Sequence, residues 1–178
     1  MLSAPTMTFT DKKTGDDMND FPKRKQIRLN DYNYSQNGYY FITICTKERK
    51  TLFWDYVGAD TIRPNLSNYG KIVKTAIEAI PKHYPNASVD KYVIMPDHIH
   101  LILVISNNGI NGQMLSAPTP PTVMRVIGQL KRWVSKQIGF SIWQKSFFEH
   151  IIRDETDYIT KTEYILNNPL KYSIQNRR

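Results

Sequence analysis

The stretch YVIMPDHIHLILVI, Tyr92 to Ile105, constrains this chain more than any other. Two apolar runs flank the turn-forming Met95-Pro96-Asp97, so the segment predicts two strands meeting at a tight turn. Side chains alternate along a strand, and His98 and His100 therefore leave the second strand on one face while Ile99 points away. Two imidazoles one strand repeat apart, at the mouth of a turn, form half of a metal site. The competing reading is a structural pair, one histidine satisfied by a backbone carbonyl and the other exposed. The chain has only four histidines, and two of them share this face, which weakens that alternative.

The elements around this hairpin alternate in type. Tyr39 to Thr46, YYFITICT, is β-branched and aromatic and predicts the first strand. Tyr69, Ile72, Val73, Ala76, Ile77 and Ile80 then fall on one stripe of an amphipathic helix, with Ser67 or Asn68 to cap its start and Pro81 to end or kink it. His83 lies just past that helix and reads as a surface residue. Strands follow over Ala87–Met95 and His98–Ile105. A second helix places Val123, Val126, Ile127, Leu130, Val134 and Ile138 on one side, and Gly139 closes it. A fourth strand is expected around Phe147–Ile152. The order β-α-β-β-α-β is that of an α+β, ferredoxin-like or RRM-like fold: a four-stranded antiparallel sheet with two helices on one face. A last helix, Asp154 to Asn167, is then available for the open face.

The rest of the chain reads as accessory. Residues 1–22 are polar, without helical or strand period, and are expected to be a disordered tail ahead of a single domain over 23–178. Residues 106–121 are rich in Gly, Asn and Pro and predict a flexible loop. The string Met1-Leu2-Ser3-Ala4-Pro5-Thr6 recurs as Met114 to Thr119, and six residues are too few for a structural repeat. One cysteine, Cys45, excludes an internal disulfide. With no apolar run long enough to cross a membrane and no signal-peptide core, a cytoplasmic protein is expected.

A formal charge of +8 suggests a polyanionic partner. Two places concentrate it. Lys23, Arg24, Lys25 and Arg28 form a basic arm before the first strand, and Arg125, Lys131, Arg132 and Lys136 lie off the apolar stripe of the second helix. Each set reads either as a solvated face or as phosphate-binding residues. On the last helix, Tyr158, Ile159, Thr162, Ile165 and Leu166 make the expected buried stripe. Tyr164 falls roughly opposite its centre, on a polar side with Asp157, Lys161 and Asn168. Asn168 would sit beside the Tyr164 phenol if helical geometry persisted, but Pro169 biases Asn168 away from the α region and is expected to end the helix, leaving Tyr172 outside it.

Four segments together resemble the REP-associated tyrosine transposases, a branch of the single-tyrosine HUH enzymes that cut and rejoin single-stranded DNA. They are MPDHIHLILVI; RLNDYNYSQNGYYFITICTKER; the set Trp143, Gln144, Phe147, Glu149, His150 and Arg153; and EYILNNP, Glu163 to Pro169. The resemblance runs from about Arg24 to Lys171, and the 106–121 loop aligns with a variable region. It implies that Tyr164 is the nucleophile, that His98 and His100 are metal ligands with Asn168 as the third, and that the partner is single-stranded or hairpin DNA. His150 either lines this site or is a satisfied core histidine.

That implication is chemically coherent. Two imidazoles and an amide oxygen leave positions for phosphate and water, which suits Mg²⁺ or Mn²⁺ better than a closed zinc site. The alternatives are a non-catalytic RRM-like module that binds single-stranded nucleic acid, and, behind it, a zinc-dependent hydrolase. The sequence leaves monomer and homodimer equally open.

Overall fold

The computed structural model describes residues 33–55, 65–106 and 122–175, with side chains through Tyr172. Six strands and four helices succeed one another: β1 Gly38–Cys45, β2 Trp54–Asp55, β3 Asn65–Leu66, α1 Asn68–Glu78, α2 Ile80–His83, β4 Ala87–Ile94, β5 His98–Ile105, α3 Val123–Ile138, β6 Phe148–Ile152 and α4 Glu155–Gln175. The four long strands form one antiparallel sheet in the order β4-β5-β1-β6. This is the expected ferredoxin-like arrangement. The pair β2–β3 forms a separate two-stranded sheet.

Alternation divides the sheet cleanly. Tyr40, Ile42 and Ile44 of β1, with Ile99, Leu101, Leu103 and Ile105 of β5, point to one face and are buried with Val73 and Ile77 of α1 and Val126, Ile127 and Leu130 of α3. The helices begin and end as their sequences dictate. Ser67 Oγ accepts from the Gly70 N–H to cap α1, and Thr122 Oγ1 accepts from the Arg125 N–H to cap α3. Gly139 ends α3 at φ 94°, a left-handed conformation that costs a glycine little. Gly70 is needed for space: a Cβ there would stand 2.3 Å from the Phe53 carbonyl oxygen.

The other face carries Phe41 and Thr43 of β1, His98, His100 and Ile102 of β5, and Phe148 and His150 of β6. Helix α4 lies across it, and here the expected pattern fails. Ile165 is 2% exposed and packs with Phe41 and Ile102, but Ile159 and Leu166 are 48% and 65% exposed. The side turned to the sheet is mixed: Tyr158, Thr162 and Ile165 of the expected stripe face it together with Asp157, Lys161 and Asn168 from the polar side, all but Ile165 only partly buried. The apolar side of a helix is commonly its covered side. This sheet face offers histidine and aromatic partners: Asp157 meets His150, and Lys161 sits over the Phe41 ring.

Pro169 also fails to end the helix, which continues to Gln175. An internal proline removes one backbone hydrogen bond and costs about 3 kcal/mol. The extra turns bring Tyr172 edge-on to Trp54, with ring centroids 5.4 Å apart, a contact that offsets part of that cost. Tyr172 thus belongs to the helix.

Candidate active site

The site starts at the β4–β5 turn. Met95 N–H donates to the His98 carbonyl, and the segment after β1 wraps the turn: Thr46 N–H donates to the Asp97 carbonyl, and Leu52 and Phe53 N–H both donate to Pro96. This holds His98 and His100 at a fixed place on the sheet. Their Nε2 atoms face each other at 3.0 Å. Their outer nitrogens are both engaged: His98 Nδ1 with Asp97 Oδ1 at 2.5 Å, and His100 Nδ1 with Thr43 Oγ1 at 2.8 Å. When each Nδ1 carries the proton, each Nε2 presents a lone pair to the space between them.

Burial keeps the pair neutral. It lowers the pKa of His98 against the pull of Asp97, and it drives His100 down to about 3, with the charges of His98 and Arg49 adding to the shift. Neutral imidazoles with converging lone pairs are what a cation needs. For metal–ligand bonds of about 2.1 Å, two neighbouring ligands of an octahedron stand about 3.0 Å apart, which is the separation found here. Among the described residues no group of three His, Cys, Asp or Glu side chains gathers as a metal cage, so further donors must be of another kind. Asn168 carries an amide oxygen, a donor of that other kind. Its amide nitrogen is buried without a hydrogen-bond partner.

Helix α4 runs along the sheet from Tyr39, which Tyr158 meets edge-on, toward Trp54 at the far end. Midway, Tyr164 stands edge-on to His100, with ring centroids 5.0 Å apart, and to Phe41 at 5.9 Å. Phe41 itself stacks on His100 at 5.3 Å. The Tyr164 side chain remains 46% exposed. The fold therefore brings the Tyr164 ring to His100, and Asn168 follows one helical turn later. Because Asn168 is helical, the expected conflict with Pro169 does not arise.

His150 lies on the same sheet face but across β1, opposite Phe41. Half-buried, it is not a core histidine. Its Nε2 lies 2.6 Å from Asp157 Oδ2, tying β6 to the first turn of α4, while Tyr158 donates to Asp90 at 2.6 Å. Asp90 is the extra residue of a β-bulge in β4.

The cations are less concentrated at the site than the sequence suggests. Arg125, Arg132 and Lys136 are exposed on α3, which packs on the sheet face away from the histidines. Lys131 is a correction: its ammonium donates to the carbonyls of Gln144, Lys145 and Ser146, and burial lowers its pKa. It braces the approach to β6 instead of joining an outward basic stripe. Lys23, Arg24, Lys25 and Arg28 lie outside the described residues, as do both copies of the six-residue string. Sequence reasoning missed Thr43, Arg49 and Lys161, whose places depend on cross-strand and helix–sheet pairing. Lys161 sits over the Phe41 ring at 5.6 Å. Asp97, adjacent to His98, carried a local signal but read as a turn residue.

No protein-family model matches the chain. It is 36% identical over 163 residues to an uncharacterised protein of Haemophilus influenzae, covering 83% of this chain and 88% of that one. A second protein of that organism, provisionally named a REP-associated tyrosine transposase, is 29% identical over 144 residues, covering 78% and 74%. A REP-associated tyrosine transposase of Escherichia coli is 22% identical over 140 residues, covering 78% and 70%. Among solved structures, a REP-associated tyrosine transposase bound to a REP hairpin superposes with a TM-score of 0.58 at 22% identity, covering 79% of this chain and 72% of that one. Over most of its length the chain is similar to REP-associated tyrosine transposases. The structural match shows that the family's fold is this sheet with its helices. Among the described residues no helix is long and apolar enough to cross a membrane.

Proposed function

We propose that this protein is a metal-dependent endonuclease and strand transferase for single-stranded or hairpin DNA, with Tyr164 as nucleophile. The observation that carries this reading is the Tyr164 phenol standing against the His100 ring on the open sheet face. A structural relative was solved on a REP hairpin, which supports DNA of that kind as the partner. His98, His100 and Asn168 would hold Mg²⁺ or Mn²⁺, with Asp97 and Thr43 orienting the two imidazoles. When bound, such a cation polarises the scissile phosphate and steadies the departing oxygen.

The chain's own groups do the rest. The phenol oxygen of Tyr164 attacks phosphorus and its proton passes to solvent. The bond to the 3′-oxygen breaks, and that oxygen leaves as an alkoxide and takes up a proton. The products are a 5′-phosphotyrosine and a free 3′-hydroxyl. The phosphodiester bond is exchanged, so the same site can rejoin the strand by the reverse attack. Phe41 keeps the phenol and His100 at their mutual angle by touching both rings. The basic arm before β1 and the cations Arg125, Arg132 and Lys136 would contact DNA backbone beyond the cleavage point. In this reading residues 23–178 act as one catalytic unit in the cytoplasm.

A non-catalytic RRM-like binding module is the second reading, favoured by the exposed Tyr39 and Phe148 on the site face. Covalent chemistry separates the two. Incubation with single strands and hairpins from the gene's own flanks, with Mn²⁺, should yield a denaturation-resistant protein–DNA adduct. Binding without any adduct would leave the module reading standing alone.

A further inference from the structure

Just after β1, a single 3₁₀ turn, Lys47–Arg49, holds Glu48 and Arg49 at φ values of 58° and 56°. Neither is glycine, and this left-handed region is unfavourable for L side chains. The turn is held from several sides. Arg49 N–H donates to the Thr46 carbonyl, and the Thr46 hydroxyl lies 2.8 Å and 2.9 Å from the Lys50 and Asp97 carbonyls. Strain persists where the surroundings over-determine it, and such places gather at functional sites.

The strained turn delivers one side chain. Arg49 Nε lies 2.8 Å from Asp97 Oδ2, on the carboxylate whose other oxygen holds His98. Its Nη1 donates to Cys45 Sγ at 2.8 Å, and Cys45 is the cross-strand partner of His98. Two donors of the fork are therefore spent on orientation. The remaining N–H groups meet no acceptor among the described residues, and the side chain is 51% exposed. Glu48 does not compete for them, because its carboxylate is turned to Lys47 and Lys50. The Arg49 charge is close enough to act on both histidines. A guanidinium anchored by one edge and open at the other is built for bidentate contact with phosphate oxygens.

We propose that Arg49 binds a phosphate of the DNA strand seated at the His98–His100 pair, its orientation fixed by Asp97 and Cys45. The proposal rests on the reading of this site as one that handles a DNA phosphate. It adds a phosphate-binding residue that no local motif marks.

The test compares the parent protein with Arg49→Gln, Arg49→Lys and Asp97→Asn, after thermal melts show that each is folded. Affinity for a mixed-sequence single strand is measured in EDTA across a salt series. Losing one phosphate contact lowers the magnitude of the single-strand salt slope by about 0.7. Arg49→Gln should show that loss and Arg49→Lys should keep the parent slope, while Asp97→Asn, which frees the guanidinium from its anchor, should weaken single-strand affinity. With Mn²⁺, Arg49→Gln should lower adduct yield on the order of a hundredfold, and Arg49→Lys by less, since it keeps the charge without the fork. An unchanged slope in Arg49→Gln overturns the proposal, because Arg49 then only braces Asp97. Absence of any adduct from the parent protein defeats the nuclease reading, while the slopes still decide the phosphate contact. Absence of single-strand binding by the parent defeats both.

Discussion

On one face of the sheet, Ile42, Ile99, Leu101 and Leu103 are sealed beneath α1 and α3; on the other, α4 reaches a cluster of only three buried residues, Phe41, Ile102 and Ile165. What holds α4 besides that cluster is directional: the hydrogen bonds of Asp157 with His150 and of Tyr158 with Asp90, and the edge-on ring contacts of Tyr158, Tyr164 and Tyr172. The two faces divide the labour. Apolar burial is non-directional and scales with area, so it stabilises the domain without needing any particular atom in a particular place. Hydrogen bonds and ring contacts are directional, so the thinly packed face can hold a phenol, two imidazoles and an amide in register while staying open to a strand of DNA.

If the faces differ in this way, the largest separation of effects comes from Tyr164. Tyr164→Phe removes one exposed hydroxyl and should abolish the covalent adduct while shifting the melting temperature by about 1 °C or less. Mass spectrometry of the parent adduct should find the nucleotide on Tyr164. A nucleotide on Tyr158 or Tyr172, both packed on the sheet side, would show that the exposed tyrosine is not the working one.

The next contrast runs the other way. Leu101→Ala on the sealed face should cost about 2–5 kcal/mol in chemical denaturation, enough to threaten folding before chemistry is touched. A loss under 1 kcal/mol would mean that the helix-covered face is not the main core.

Asp97→Asn should leave stability near the parent value yet weaken Mn²⁺ binding by about ten- to a hundredfold, because the carboxylate that orients His98 is gone. Isothermal titration with Mn²⁺ reads this directly. Unaltered affinity would remove Asp97 from the metal-binding apparatus, and failure of the parent protein to bind Mn²⁺ would remove the metal.

The smallest effect is expected at Leu166. A buried leucine of the expected stripe would cost several kcal/mol on truncation, but this one is exposed, so Leu166→Ala should change stability by about 0.5 kcal/mol or less. A larger loss in a urea titration would restore the apolar side of α4 as its packed side.

Much of the fold was legible from local signals. The β4–β5 hairpin, the Ser67 cap, Gly139, and the stripes of α1 and α3 all follow from alternation, helical period or backbone preference within a few residues. The shared face of His98 and His100 was equally local. The side of α4 that meets the sheet was not, since hydropathy cannot register that histidines and aromatic rings wait opposite Asp157, Lys161 and Tyr164. Nor was the passage of the helix through Pro169, a local rule overridden by packing farther along.

The amino-acid sequence by itself determined the order of the four long strands and the three long helices, the histidine pair and its strand, and the presence of a tyrosine off the apolar stripe of the last helix. Each depends only on neighbours within a turn or a strand repeat. The tertiary structure alone decided that Thr43 and Asp97 engage the outer nitrogens of the histidines, that Lys131 turns inward, that α3 carries its cations on the far side of the sheet, and that Tyr164 meets His100. Those outcomes depend on strand register and on how one helix crosses a sheet. Both are settled by the sum of contacts between segments distant in the chain, which no local pattern encodes.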